Sequence, residues 1–412
     1  MTVEIAADPP DTGKGSGGGE QGVGAALEVV TVDEAVDDTV RAAEKLLAKR
    51  FGSRIALAEP QDLGGSERSI VLRVRVAETP FALPRTMVLK RYVAEPSASF
   101  VREAVSYQLF TALAEDDRMC PELFAHDGEM RLLVIEDLGR APTLAEKLRG
   151  ADARVAERAL LSWARSLGKL HATTAGREAD FDALGRRLTS MVQKDPLAEQ
   201  GMHALDEVPA LLEAKLGVAT PDPVLQRATQ STRLLSAPGH RAFSPSDSCP
   251  DNNLLTSRGV RFLDFEGGCI RSILVDAACL RVPFATCWCA NRLPRGMAEA
   301  MLAAWRAEVR TMWPDIDDDA VFLPALLDAQ LFWVWLATWR FLSLSAAQDS
   351  WVDGAVPGPP RIVVLTERWR DLCTAARQAG ADRVAVHASA VVAALEKDGG
   401  AEELPLYPAF RD

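Results

Sequence analysis

The stretch 244–252, Ser244-Pro245-Ser246-Asp247-Ser248-Cys249-Pro250-Asp251-Asn252, runs on through 253–265 as NLLTSRGVRFLDF. Two apolar runs flank Ser257-Arg258-Gly259, and a glycine between such runs predicts a β-hairpin. Paired antiparallel strands set opposite residues roughly 4.5–5.5 Å apart. Asn252 and Asp264 are equidistant from Arg258, so they are expected to meet at the open end of that hairpin. An amide oxygen and a carboxylate brought together there suit Mg²⁺, which takes a few hard oxygens and fills its shell with water or phosphate. Asp247 lies in the loop just before, where a carboxylate can orient and accept the proton of an attacking hydroxyl.

Working outward, the amino-terminal part reads as a small sheet. An amphipathic helix is predicted over 32–51, strands over 54–58, 69–76 and 86–92, a helix over 99–114, and two more short strands ending at 136. A turn at 62–66 contains Gly64, Gly65 and Ser66. Beyond Gly139 the periodicity becomes helical over 144–176, 186–236 and most of 295–397. The fold class expected is therefore α+β with two lobes: a small antiparallel β-rich lobe over 29–139 and a larger helical lobe over 140–412. Residues 1–28, rich in Gly, Asp and Pro, read as a disordered tail. Lys14 and Ser16 among those glycines lack the spacing of a phosphate-binding loop.

In this order the parts suit phosphoryl transfer. Lys90 ends a strand behind the glycine turn, Glu103 lies on the following helix, and Asp247, Asn252 and Asp264 come later. The reaction needs a turn over the phosphates, a cation on them, an acid to hold that cation, and metal ligands. These residues resemble the aminoglycoside phosphotransferase and choline-kinase-like family, which has the protein-kinase-like fold. The likeness runs from about residue 50 to 285 and, more loosely, to the end. The loop Pro245-Ser246-Asp247, with Pro250 and Asn252, is similar to the family's His-Gly-Asp-x-x-x-x-Asn. The resemblance implies ATP and Mg²⁺ as cofactors, Asp247 as the catalytic aspartate, and Asn252 and Asp264 as metal ligands. It also implies that Gly64, Gly65, Ser66, Lys90 and Glu103 serve the phosphates, and that backbone groups of Glu136 and Leu138 contact adenine. His171 in Leu167-Gly168-Lys169-Leu170-His171 and Asp276 match further family positions. Pro245 stands where the family has histidine, and Asp251 where it has glycine. Proline fixes φ and donates no hydrogen bond, so this loop must be supported differently.

The formal charge is −12, with 46 basic against 58 acidic residues. Nucleic-acid binding draws on cationic surface, so no nucleic-acid partner is expected. Segment 321–339 is about long enough to cross a bilayer, but Pro324, Asp328 and Gln330 interrupt it, and a buried helix is expected rather than a membrane span. Seven scattered cysteines, including the Cys287–Cys289 pair, read as reduced core thiols of a cytoplasmic protein. Trp333, Trp335 and Trp339 recur at helical spacing and read as core. His171 reads as a packed, hydrogen-bonded residue, and Glu266 either supplies a metal oxygen or caps a strand. The expected partner is a small-molecule hydroxyl acceptor, aminoglycoside-, sugar-, nucleoside- or amino-alcohol-like. The alternatives are a peptide- or protein-phosphorylating kinase of a biosynthetic pathway and a nucleotide-binding pseudokinase.

Overall fold

The computed structural model describes residues 32–66, 68–94, 98–190, 194–282, 284, 290–343, 352–353 and 356–411. The expected tail over 1–28 and the Cys287–Cys289 pair lie outside the described residues. Helix α1 (Val32–Phe51) carries acids in its first turn and Lys49 and Arg50 in its last, both favourable to the helix dipole. Strands β1 (Ala56–Ser66), β2 (Ser69–Glu78) and β3 (Thr86–Tyr92) follow. After them come helix α2 (Ala98–Thr111) and strands β4 (Leu123–Asp127) and β5 (Leu132–Glu136). They form one antiparallel sheet in the order β1-β2-β3-β5-β4.

The period-two alternation of β3 divides its side chains between two layers. Met87 and Leu89 join Ala43 and Leu47 of α1 in a small cluster on one face. Val88 and Tyr92 point to the other face and join α2 in the large core. Lys90 shares that second face, which is how it comes to meet α2.

The carboxy-terminal region begins with helices α3 (Leu144–Arg149), α4 (Ala153–Thr174), α5 (Glu178–Leu188), α6 (Pro196–Leu216) and α7 (Asp222–Thr232). Four short strands come next: β6 (Arg241–Ser244), β7 (Asn253–Thr256), β8 (Gly259–Phe262) and β9 (Cys269–Ser272). Helices α8 (Ile273–Ala278), α9 (Met297–Val309), α10 (Asp319–Ser343), α11 (Arg361–Gln378) and α12 (Asp382–Leu395) complete it. This is the α+β arrangement expected: an antiparallel sheet followed by a helical region. Helix α10 is long and apolar enough to cross a membrane, but 67% of its most apolar window is buried within the protein. It packs on α6, α7, α8 and α11, and Asp328 pairs with Arg227 at 2.6 Å. Trp333 and Trp335 are buried, donating to the carbonyls of Val275 and Ala204. Trp339 is only partly buried and donates to Glu207.

Two expectations are corrected. The glycines do not form the tip of a turn: β1 continues through Ser66, and Gly64 and Gly65 lie within it at a bulge. Gly64 has φ +91°, and a Cβ on Gly65 would come 2.3 Å from the Ser69 carbonyl oxygen. Glycine is required there by the close pairing of β1 and β2. Cys249 is disulfide-bonded, so the expectation of reduced thiols fails at that residue, although Cys120, Cys269, Cys279 and Cys373 are free and buried.

Candidate active site

Lys90 Nζ lies 2.9 Å from Glu103 Oε2 and 2.5 Å from Asp264 Oδ1. Glu103 is fully buried. It also accepts from the Tyr92 hydroxyl and, at 3.2 Å, from the Phe265 backbone N–H. Burial works against the Lys90 charge, but Glu103 and Asp264 outweigh it and hold its pKa above the usual value. The strand, the helix and the segment after the hairpin are thus tied by a single ammonium group, as the sequence order anticipates.

The hairpin forms, but its axis is half a residue from the one expected. Asn253 pairs with Phe262 and Thr256 with Gly259, leaving Ser257 and Arg258 as a two-residue turn. Asn252 consequently faces Leu263, whose N–H it accepts at 2.8 Å, and Asp264 lies one step beyond the expected pairing. A one-residue slip turns a side chain to the opposite face of a strand. Asp264 leaves the strand with φ +60°, a left-handed conformation that costs about 1–3 kcal/mol and is characteristic of functional sites.

Asp247 is supported from both sides. Its Oδ1 accepts the Cys249 N–H at 3.0 Å and its Oδ2 accepts Asn252 Nδ2 at 3.1 Å. The carboxylate opens on solvent yet is crowded by protein. That crowding, with the nearby Asp264 and Glu266, pushes its pKa up, while the Cys249 N–H and Arg340 oppose the shift. Pro245 is buried, and its carbonyl accepts the Asp247 N–H at 2.8 Å. Ser246 between them has φ +64°.

What replaces the absent loop histidine is a set of buried anchors. Ser244 Oγ donates to Asp276 at 2.8 Å and accepts the Ser246 N–H at 3.1 Å. Asp276 also bonds His171 Nε2 at 3.1 Å, and Trp305 Nε1 donates to His171 Nδ1 at 3.0 Å. His171 is therefore a packed, fully hydrogen-bonded residue, as expected. On the other side Arg271, fully buried, donates to Ser246 Oγ and pairs with Asp195 at 3.2 Å. Arg271 and Asp195 carry no motif spacing, and sequence reading missed both.

The donor set of the site offers oxygens to a hard cation. Asn252 uses its Nδ2 on Asp247, leaving Oδ1 without a protein partner, and Asp264 Oδ2 is likewise unpartnered among the described residues. Two hard oxygens suit Mg²⁺, which completes its shell with water and phosphate. Among the described residues no group of three or more His, Cys, Asp or Glu could hold a metal alone, so the fit is to a substrate-shared ion. Glu266 is instead engaged: Oε1 pairs with Arg68 at 3.0 Å, and its carbonyl accepts Arg102 Nε at 2.7 Å. At the end of β5, the Glu136 N–H is committed to the Glu122 carbonyl at 2.8 Å. Its carboxylate holds Arg258 at 3.0 Å. The Leu138 N–H has no protein partner among the described residues.

A model of the phosphotransferase enzyme family (APH) matches residues 69–317, more than half of the chain. No curated protein sequence matches. Among solved structures, a choline kinase from Cryptosporidium parvum Iowa II is 13% identical, with 83% of this chain and 90% of that one covered and a TM-score of 0.45. A choline/ethanolamine kinase family protein from Mesorhizobium loti is 17% identical, covering 88% and 99%, with a TM-score of 0.45. The streptomycin-ATP-APH(2")-IIa ternary complex is 12% identical, covering 81% and 97%, at 0.42.

Proposed function

Because the chain belongs to the phosphotransferase enzyme family, we propose that it transfers the γ-phosphoryl group of ATP to a hydroxyl of a small molecule. The observation that carries this reading is the convergence of Lys90, Glu103 and Asp264 beside the bonded pair Asp247–Asn252. The acceptor oxygen forms a bond to the γ-phosphorus, and the bond from that phosphorus to the bridging oxygen breaks. ADP departs with the electron pair, and the acceptor proton passes to Asp247. Lys90 neutralises phosphate charge, with Glu103 fixing its position. Asn252 and Asp264 would hold Mg²⁺, which supplies further neutralisation of the phosphates when bound. Gly64, Gly65 and Ser66 cover the phosphates with backbone. The carbonyl of Glu136 and the unpartnered N–H of Leu138 meet adenine; the committed N–H of Glu136 takes no part. Residues 29–139 and 140–412 act as the two lobes around the nucleotide. With little covalent work for the protein, positioning and charge supply most of the rate.

The test is Mg²⁺-dependent ATP consumption against aminoglycosides, sugars, nucleosides, amino alcohols and peptides, comparing the wild type with Asp247→Asn. Loss of a positioned base predicts a fall of about 10²–10⁴ in kcat with nucleotide affinity retained. Equal turnover by the two proteins would overturn the assignment. Turnover confined to peptides would favour the peptide-kinase alternative.

A further inference from the structure

Arg340 lies in the last turn of α10, half-buried, where it was unforeseen from sequence. Its Nη2 donates to Gln200 Oε1 of α6. Among the described residues its Nε and Nη1 have no partner and it forms no ion pair. Helix α6 fixes where this cation lies. Asp195, the helix cap, holds the arginine that grips Ser246 in the catalytic loop. Pro196 abuts the same place: a Cβ on Gly267 would lie 2.8 Å from Ser246 Cβ and 3.8 Å from Pro196 Cγ. Gln200 is one turn further along that face of the helix. It therefore presents Arg340 about one helical turn from the loop.

The charges around Arg340 say which side of the site it serves. Among the described residues the charge of Asp247 acts on Arg340, and Asp247 itself also feels Asp264 and Glu266. Arg340 is thus near enough to the base for their charges to interact, and the phosphates already have Lys90. Crowding lowers the Arg340 pKa, so a guanidinium is kept there against a desolvation cost, with Nε and Nη1 unused among the described residues. A planar fork with free donors matches the paired oxygens of a carboxylate or a phosphate.

We propose that Arg340 determines acceptor specificity: the molecule phosphorylated carries a carboxylate or phosphate group close to the hydroxyl that receives the phosphoryl group. This rests on the phosphotransferase reading of the same site. A cationic acceptor would meet a like charge at this wall.

The test uses the full chain with Mg-ATP and matched acceptors. Glycerate and gluconate form the carboxylate arm, glucose 6-phosphate and glycerol 3-phosphate the phosphate arm. Glycerol and glucose are the neutral partners; ethanolamine, choline and streptomycin are cationic. The wild type should prefer one anionic arm over its neutral partners, and the better arm identifies the group. Losing a hydrogen bond to a charged group predicts that Arg340→Gln lowers that preference by about 10- to 100-fold, mainly through KM. Arg340→Lys, which keeps charge but loses the fork, should fall between. A melting curve verifies that each variant is folded. Better turnover of neutral or cationic acceptors by the wild type sinks the inference and leaves the phosphotransferase reading standing, as does an unchanged preference in Arg340→Gln. Absence of ATP consumption with every acceptor removes both.

Discussion

Glu103 has no contact with water, so its charge depends on Lys90 and two further donors. Breaking a buried ion pair leaves the remaining charge uncompensated and typically costs about 3–5 kcal/mol. Asp264 still compensates Lys90 here, so Glu103→Gln should cost less than that, about 1.5–3 kcal/mol for the hydrogen bonds to its charge, read as a shift in denaturation midpoint. It should also raise KM for ATP, because Asp264 becomes the only acid holding Lys90. Unchanged values of both would mean that the pair is ornamental. This pair was legible in sequence from order and spacing, a lysine late in a strand followed thirteen residues later by a glutamate on the next helix. Arg271, Asp195 and Arg340 were not. Each acts across a large gap in sequence, and an arginine on an apolar helix carries no spacing that distinguishes a site residue from a surface one.

Among the elements, those defined by a single periodicity were readable, and those whose limits depend on pairing were not. The helical reading of 32–51 and the strand reading of 86–92 agree with α1 and β3 residue for residue. The hairpin axis moved by half a residue because Gly259, at φ +98°, is already paired with Thr256. Sequence alone does not distinguish a two-residue turn from a three-residue one here. Helix α12 carries a titratable group that pairing does not relieve. His387 is 3% exposed, its Nε2 has no partner among the described residues, and its ring meets Trp369 edge-on at 5.7 Å. Burial lowers its pKa from the ordinary 6.5 to about 4. Below the unfolded value the unfolded chain takes up a proton that the folded protein refuses. Stability therefore falls as pH drops from 6.5 towards 4, by up to about 3 kcal/mol. His387→Phe keeps an aromatic ring on Trp369 but cannot titrate, so its melting temperature should drop less between pH 7 and pH 4.5. A drop equal to that of the wild type would remove His387 as the cause.

At the scale of the whole molecule, the sheet is gripped by two cores of unequal consequence. The small cluster, with Leu47 of α1 packed with Met87 and Leu89, includes none of the site residues. The large one runs from α2 into the helical region and underlies the site. Phe110 stacks on Phe265 at 5.6 Å, immediately after Asp264. It also meets Phe243 edge-on at 5.0 Å, on the strand that leads into the catalytic loop. One ring therefore backs both segments on which catalysis depends. Truncating a buried leucine costs about 2–5 kcal/mol and a buried phenylalanine about 3–5, so Leu47→Ala and Phe110→Ala should lose comparable stability. They should differ in rate, because a displacement of about 1 Å in reacting groups can cost about 10²-fold. Measured well below both melting transitions, Leu47→Ala should retain kcat near that of the wild type, while Phe110→Ala should lose one to two orders of magnitude. Equal rates in the two variants would mean that the site is held by its polar anchors, Arg271 and Asp276, rather than by the aromatic layer beneath it.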